Sequence, residues 1–230
     1  MKPDDVYRVL QGIGAKQLHH ANTVTTSCTF LEHAALLSRA YVEKHELAQT
    51  GQSSDDIDKR HGIWDRVFVD HVDIHYRGGR VKGPNQYGPV LFIFDEDILL
   101  TLPVGSDVLV TRMNPIYWND RQTDGDRWYL TADELATSIK YGDFDKMLVI
   151  QSPDGKVDFP NKHVQIALDE PRRTLSSGKD AYAFAEERLR QSAKAGGVTV
   201  TVEKHDCRTD CTCIEKYKGY TQEYFDMVFE

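Results

Sequence analysis

Cysteine, long apolar runs and an excess of positive charge are all scarce in this 230-residue sequence. Its four cysteines are Cys28 and the late group Cys207, Cys211 and Cys213, too few and too unevenly spread for the disulfide framework of a small secreted domain. No run of about 18 apolar residues occurs, so no helix of membrane-crossing length is expected, and Met1-Lys2-Pro3-Asp4-Asp5 is followed by no apolar stretch of the signal-peptide kind. The expectation is a soluble, cytoplasmic protein with no membrane partner. A formal charge of −8 argues against a broad basic stripe that follows phosphate backbones by releasing counterions, and leaves room only for a small local nucleic-acid site. Several motifs are missing as well. There is no Gly-x-x-x-x-Gly-Lys-Ser/Thr phosphate loop, no Gly-x-Ser-x-Gly elbow and no His-Glu-x-x-His, and Gly12-Ile13-Gly14 lacks the third glycine and the preceding strand of a dinucleotide fingerprint.

What is present suffices for a core, with 40% of residues hydrophobic and 10% aromatic. The spacing predicts a helix over 6–10, broken at Gly12-Ile13-Gly14 ahead of a strand over 18–22. Phe30, Leu31, Ala34, Ala35 and Leu37 follow helical spacing, with Thr26 or Ser27 as the cap. Residues 49–58 are polar and read as an exposed loop or the start of a lid. Over 67–76, Phe68, Val72, Ile74 and Tyr76 alternate with His71, Asp73 and His75, the pattern of a half-buried strand with a solvated histidine face. Residues 89–94 are apolar on both faces and predict a central strand, and 107–111 another. Thr131-Ala132-Asp133-Glu134 fits a capping box for a helix reaching about Lys140. Strands over 147–151 and 156–159, joined at Asp154-Gly155, read as a hairpin. A strand over 164–168, a helix over 180–195 stopped by Gly196-Gly197, and a strand over 198–202 complete the pattern. Strands with three or four helices between them make the class α+β.

The order of several short motifs carries more information than any one of them. Leu18-His19-His20-Ala21-Asn22, a helix, Leu36-Leu37-Ser38-Arg39, Ile57-Asp58-Lys59-Arg60, the Tyr87-Gly88-Pro89 strand and Thr123-Asp124-Gly125-Asp126 follow one another over roughly residues 16–170. This order resembles the ADP-ribosyltransferase superfamily, and within it the DarT-like branch, whose members transfer ADP-ribose from NAD to nucleic-acid bases and act as toxins. The resemblance implies a split β-sheet with flanking helices, a catalytic region over 1–175, and a tail over 176–230 packed on the same domain. It implies NAD as substrate, with His20, Asn22, Ser38, Arg39 and Tyr87 at its binding site and His19 turned away. Arg60 would neutralise the pyrophosphate or steady the developing oxocarbenium ion. A carboxylate, Asp158 or Glu170, would polarise the ribose or the acceptor. It implies further a nucleic-acid acceptor, a toxin or anti-phage role, and an antitoxin partner. Two departures stand out. Asp126 replaces the histidine of the family's turn, and Val157-Asp158-Phe159 stands where the family has a glutamate, so Asp158 reaches one methylene less far and Glu170 competes with it.

Two other groupings suggest metal chemistry. His71, Asp73 and His75 on one strand face supply the two imidazoles and carboxylate of many zinc and iron sites, and so a metal-dependent hydrolase or oxygenase. The outer two Cα atoms of such a strand lie about 13 Å apart, which demands full extension of both side chains or a bent strand. His205, Cys207, Cys211 and Cys213 offer one imidazole and three thiols for a structural zinc. On that reading the tail is a binding module with a partner surface of Tyr217, Tyr220, Tyr224 and Phe225. Trp64, Trp118 and Trp128 are scattered and expected to serve core packing.

Overall fold

The computed structural model of the chain describes residues 1–73, 87–143, 146–205 and 213–230. Helix α1 (Pro3–Gly12) carries proline at its start, where a missing N–H costs nothing, and Asp4 and Asp5 in the first turn, where carboxylates meet the positive end of the helix dipole. It buries Val6 and Leu10. Strand β1 (Gln17–Asn22), α2 (Val24–Glu32), β2 (Ala35–Leu37), α3 (Arg39–Lys44) and α4 (Asp55–Arg60) follow. The helix expected around Phe30 therefore begins and ends earlier than its spacing suggested. Residues 26–31 are buried on every side of α2, so burial leaves no period to read; the chain exits at Ala34 with φ 51°, handing Leu36 and Leu37 to β2.

The remaining elements are β3 (Val67–Asp70), β4 (Val90–Asp95), β5 (Asp107–Thr111), α5 (Asp124–Arg127), β6 (Trp128–Tyr129), α6 (Ala132–Ser138), β7 (Met147–Gln151), β8 (Lys156–Asp158), β9 (His163–Leu168), α7 (Ala181–Gly196), β10 (Thr199–Lys204), α8 (Cys213–Lys218) and α9 (Gln222–Phe229). The described residues thus hold nine α-helices, several of them short, against the three or four expected. Aspartate 180 caps α7 by accepting the Ala183 N–H at 2.8 Å, and Gly197 ends it in the left-handed conformation, as the sequence predicted.

Eight strands form one sheet in the order β10-β9-β4-β1-β3-β7-β5-β6, with β10 and β9 parallel and the other pairs antiparallel. Strand β4 is central, paired with β1 along its whole length and with β9. Strand β1, by contrast, meets β3 only at His19 opposite Asp70. The sheet is split at that seam. The expected 147–159 hairpin does not form: β7 lies between β3 and β5, while β8 crosses to pair with β2 in a separate two-stranded sheet. Ser152 turns the chain locally, accepting the Lys156 N–H at 2.9 Å and donating to its carbonyl at 2.7 Å, yet a tight turn does not dictate which strand each arm then joins.

The tail belongs to the main core. Helix α7 packs across α2, where a Cβ on Gly196 would lie 2.1 Å from the Leu31 carbonyl, and Tyr217, Phe225 and Phe229 are fully buried. Tyr220 is also buried, so of the four aromatic residues expected to form a partner surface only Tyr224 is exposed. These rings pack edge to face against one another, which suits the quadrupoles of neighbouring aromatics. Trp118 and Trp128 form a second cluster with Ile63 and Val149, their rings T-shaped at 4.7 Å. No helix among the described residues is long and apolar enough to cross a membrane.

Candidate active site

A cleft of about 270 Å³ opens where β1 and β3 separate. His20, Ala21 and Asn22 of β1 form one wall, Val67, Phe68 and Asp70 of β3 another, and Gln52, Ser53, Ser54, Ile57 and Asp58 close it from the segment around α4. Arg39, Arg66, Tyr87 and the 114–116 stretch complete the lining.

The missing ladder between the half-sheets is replaced by a side chain. His20 Nδ1 lies 2.7 Å from the Phe68 carbonyl, which can only accept, so Nδ1 carries the proton and Nε2 accepts from the Asn22 amide at 3.3 Å. That choice orients Asn22, whose Oδ1 accepts from the Thr23 N–H at 2.9 Å and from Gln52 Nε2 at 3.3 Å. Burial against Phe30 and Phe92 lowers the His20 pKa to about 4, with the Arg39 charge adding to it and the Phe68 bond opposing it. The imidazole is therefore neutral at pH 7 and holds one tautomer.

Residues 49–58, expected as an exposed loop or the start of a lid, are latched at 48–55 and helical from Asp55 onward in α4. Thr29 donates to the Ala48 carbonyl at 2.6 Å, Thr23 to Thr50 Oγ1 at 2.8 Å, and the Thr50 N–H to Thr26 Oγ1 at 2.9 Å. Arg39 spans the segment, donating to the Thr50 carbonyl at 3.0 Å and to both Asp55 oxygens at 2.8 and 2.7 Å, while its buried Nε has no hydrogen-bond partner among the described residues. One nitrogen, Nη2, reaches both Asp55 oxygens while Nη1 holds the Thr50 carbonyl, so the guanidinium ties the two ends of the segment together. Asp58, beside it in the cleft, has its carboxyl pushed up to about 6, first by burial and then by the Asp55 charge, against the pull of Arg39.

Gly88 sets the position of Tyr87. With φ 107°, it lies so close to the Asn22–Thr23 peptide that a Cβ would sit 2.3 Å from the Asn22 carbonyl carbon. Only glycine meets both conditions.

The cleft thus gathers His20, Asn22, Arg39 and Tyr87 of the residues the sequence singled out. His19 is buried beside the seam and lies outside the lining. The other candidates lie elsewhere. Ser38 caps α3, accepting the Tyr41 N–H at 3.1 Å. Arg60 is exposed at the end of α4, about 200° around a helix of 3.6 residues per turn from Asp58. Asp158 is exposed on β8 and pairs with Lys156 at 2.9 Å. Glu170 follows β9 at the same end of the sheet as Asn22, where it pairs with Lys204 at 2.8 Å. Asp126 accepts both the N–H and the hydroxyl of Thr123 at 2.8 Å and so turns the chain into α5. Gln52, Asp58, Arg66 and 114–116 were not singled out as site residues. Asp58 sits within a motif read for its arginine; the others carry no local signal.

Neither metal grouping assembles among the described residues, where no three His, Cys, Asp or Glu side chains are placed to hold a metal ion. Strand β3 ends at Asp70, so the alternation fails at His71, which is buried with Nε2 donating to the Lys140 carbonyl at 3.4 Å. Asp73 turns instead to His205, whose two ring nitrogens lie 3.1 and 3.2 Å from Asp73 and Asp169. Burial works against the imidazolium, yet these two carboxylates raise its pKa to about 10. Tyr217 donates its hydroxyl to Asp169. Both ring nitrogens of His205 are thus taken up by carboxylates. Cys213 is buried on α8, and His75, Cys207 and Cys211 lie outside the described residues.

No family model and no curated protein matches the sequence. Among solved structures the chain is similar to Thermus sp. 2.9 DarT in complex with ADP-ribosylated ssDNA, at 11% identity and TM-score 0.47 over 83% of this chain and 95% of that one. It is likewise similar to Thermus sp. 2.9 DarT in complex with NAD+, at 12% identity and TM-score 0.46 over 82% and 96%.

Proposed function

We propose that the chain is an NAD-dependent ADP-ribosyltransferase that modifies nucleic acid. The observation that carries this reading is the fixed array at the seam, where neutral His20 and oriented Asn22 line an opening between two half-sheets with Arg39 and Asp58 facing the same space. Nicotinamide is a flat carboxamide, and a strand edge released from its ladder at Ala21 offers the backbone donor and acceptor that a carboxamide needs. Arg39, with Nε unmet, and Arg66 bring positive charge to the cleft for a pyrophosphate. In the reaction the ribosyl C–N bond breaks, nicotinamide leaves with the electron pair, and the acceptor base bonds to the ribose carbon. A carboxylate takes the proton that the base gives up. Asp58, poised near pH 6, suits that role by position and protonation, and Glu170 is its rival at the same end of the sheet. The motif order supports a toxin with a dedicated antitoxin partner, because unrestrained base modification harms the host cell.

The test is incubation with labelled NAD and separate pools of single-stranded DNA and RNA. Nicotinamide release with label on one pool is expected, and loss of transfer in Asp58→Asn with release of free ADP-ribose retained would identify the acceptor base's proton acceptor. No nicotinamide release from folded protein overturns the reading.

A further inference from the structure

Next to the cleft lies a second cavity of about 260 Å³, lined by His61, Arg66, Trp118, Asp124, Arg127 and Trp128 among others. Arg66 lines both spaces. Three buried donors on these walls, Arg66 Nε, Trp118 Nε1 and Arg127 Nε, have no hydrogen-bond partner among the described residues, and Trp118 is only 6% exposed. Buried donors cost stability unless something accepts from them. Ring faces hold the guanidinium groups in place, with Arg66 5.8 Å over Trp128 and Arg127 5.4 Å over Trp118. Arg127 spends one Nη on the Asn119 carbonyl at 2.7 Å, and the carboxylate nearest Arg66 among the described residues is that of exposed Asp65, at 3.9 Å. The lining sets one carboxylate, Asp124, against Arg66, Arg127 and Met1, whose ammonium donates to the Val108 carbonyl at 3.0 Å.

The chain passes from one cavity to the other through 114–118. Asn114, Pro115 and Ile116 line the cleft and Trp118 lines the second cavity, while Ile116 and Tyr117 between them are 52% and 65% exposed. An exposed aromatic ring beside a cationic, donor-rich hollow is the combination that stacks a base and holds its phosphate. The excess of positive charge suits a phosphate group, and the exposed ring beside it suits one that carries a base.

We propose that the second cavity binds a phosphodiester of a single-stranded nucleic acid, with Arg66, Trp118 and Arg127 as donors and Tyr117 as the stacking ring. That this strand is the acceptor rests on the transferase reading; the binding site itself does not. The experiment measures polarisation of short fluorescein-labelled DNA and RNA strands with the full chain, alongside an NAD titration and thermal unfolding to confirm folding. Arg127→Ala and Trp118→Phe should each weaken strand binding at least about tenfold and leave NAD binding unchanged. Arg127→Ala should also reduce the dependence of log K on log salt by about 0.7 for the lost phosphate contact. Binding of DNA, RNA or both with these losses supports the site and identifies its source of phosphate. Variants that bind strands like the unaltered chain overturn it. So does inorganic phosphate shifting the Trp118 indole resonance while strands fail to displace it. Strand binding lost on Arg127→Ala in a chain that takes up no NAD would leave this site standing and remove the transferase reading.

Discussion

Replacing Asp58 by asparagine should make the protein more stable and less active. Burial and the neighbouring Asp55 hold the Asp58 carboxyl at about 6 in the folded chain, against an ordinary value of 3.8. Between those values the folded chain keeps a proton that the unfolded chain has released, so stability falls as pH rises through about 4 to 6. Above that window the charged carboxylate costs up to about 3 kcal/mol, and solvent reaching this half-buried side chain brings the working range to about 1 to 3 kcal/mol. Asparagine has the same shape and no charge to desolvate. For a chain of this size the gain corresponds to roughly 2 to 10 °C in melting temperature. The assay is thermal unfolding by circular dichroism of both proteins at pH 4 and pH 8, paired with label transfer from NAD to nucleic acid at pH 8. Asp58→Asn should melt higher at pH 8, converge with the unaltered chain at pH 4, and transfer poorly. An equal melting temperature at pH 8, or the same gap at both pH values, would refute the electrostatic account.

Three further outcomes follow from the same geometry. His20→Phe removes the donor to Phe68 and the acceptor for Asn22, so it should cost about 1 to 3 kcal/mol in unfolding and weaken NAD binding; calorimetric titration showing unchanged affinity would count against the seam as the nicotinamide site. Gly88→Ala must carry a Cβ into the Asn22 carbonyl at φ 107°, so it should destabilise by at least about 1 kcal/mol and lower NAD affinity together, read by chemical denaturation and titration. His205, raised to about 10 by Asp169 and Asp73, contributes stability that is full below its ordinary value of 6.5 and is lost as pH rises through about 10. His205→Gln should flatten that alkaline decline in melting temperature while lowering stability at pH 7, because two carboxylates then lack their cation.

Regular local signals were legible in the sequence. The 107–111 strand and the capped helix ending at Gly197 carry their own period, cap and stop. Partner choice was not legible, because Asp154-Gly155 announces a turn but says nothing of β8 leaving for β2. The histidine alternation failed for the same reason. Asp73 belongs to His205, 132 residues away, and no local period reports a bond of that length. Among the residues lining the cleft, His20, Asn22, Arg39 and Tyr87 could be named from the order of short motifs, whereas Asp58 could not. Asp58 and Arg60 are two residues apart on one short helix, and only the sheet decides which side of it faces the cleft. The tail aromatics misled in the opposite direction, since a run of tyrosine and phenylalanine looks alike whether it packs inward or meets a partner.

The lone bridge between His19 and Asp70 gives the sheet two mechanical regimes. Peeling β1 from β4 means unzipping six paired positions, whereas parting β1 from β3 meets, among the described residues, a ladder of one bridge, with the His20–Phe68 bond beside it. At about 0.5 to 1.5 kcal/mol net for a hydrogen bond, the second deformation is the softer by several fold. The half-sheets behave as two stiff plates joined along a narrow compliant line, and the accumulated twist of eight strands can relax along that line instead of being shared evenly. A ligand seated at the seam would press on the joint that the His20–Phe68 bond spans, so the reach of that imidazole enters the width of the opening.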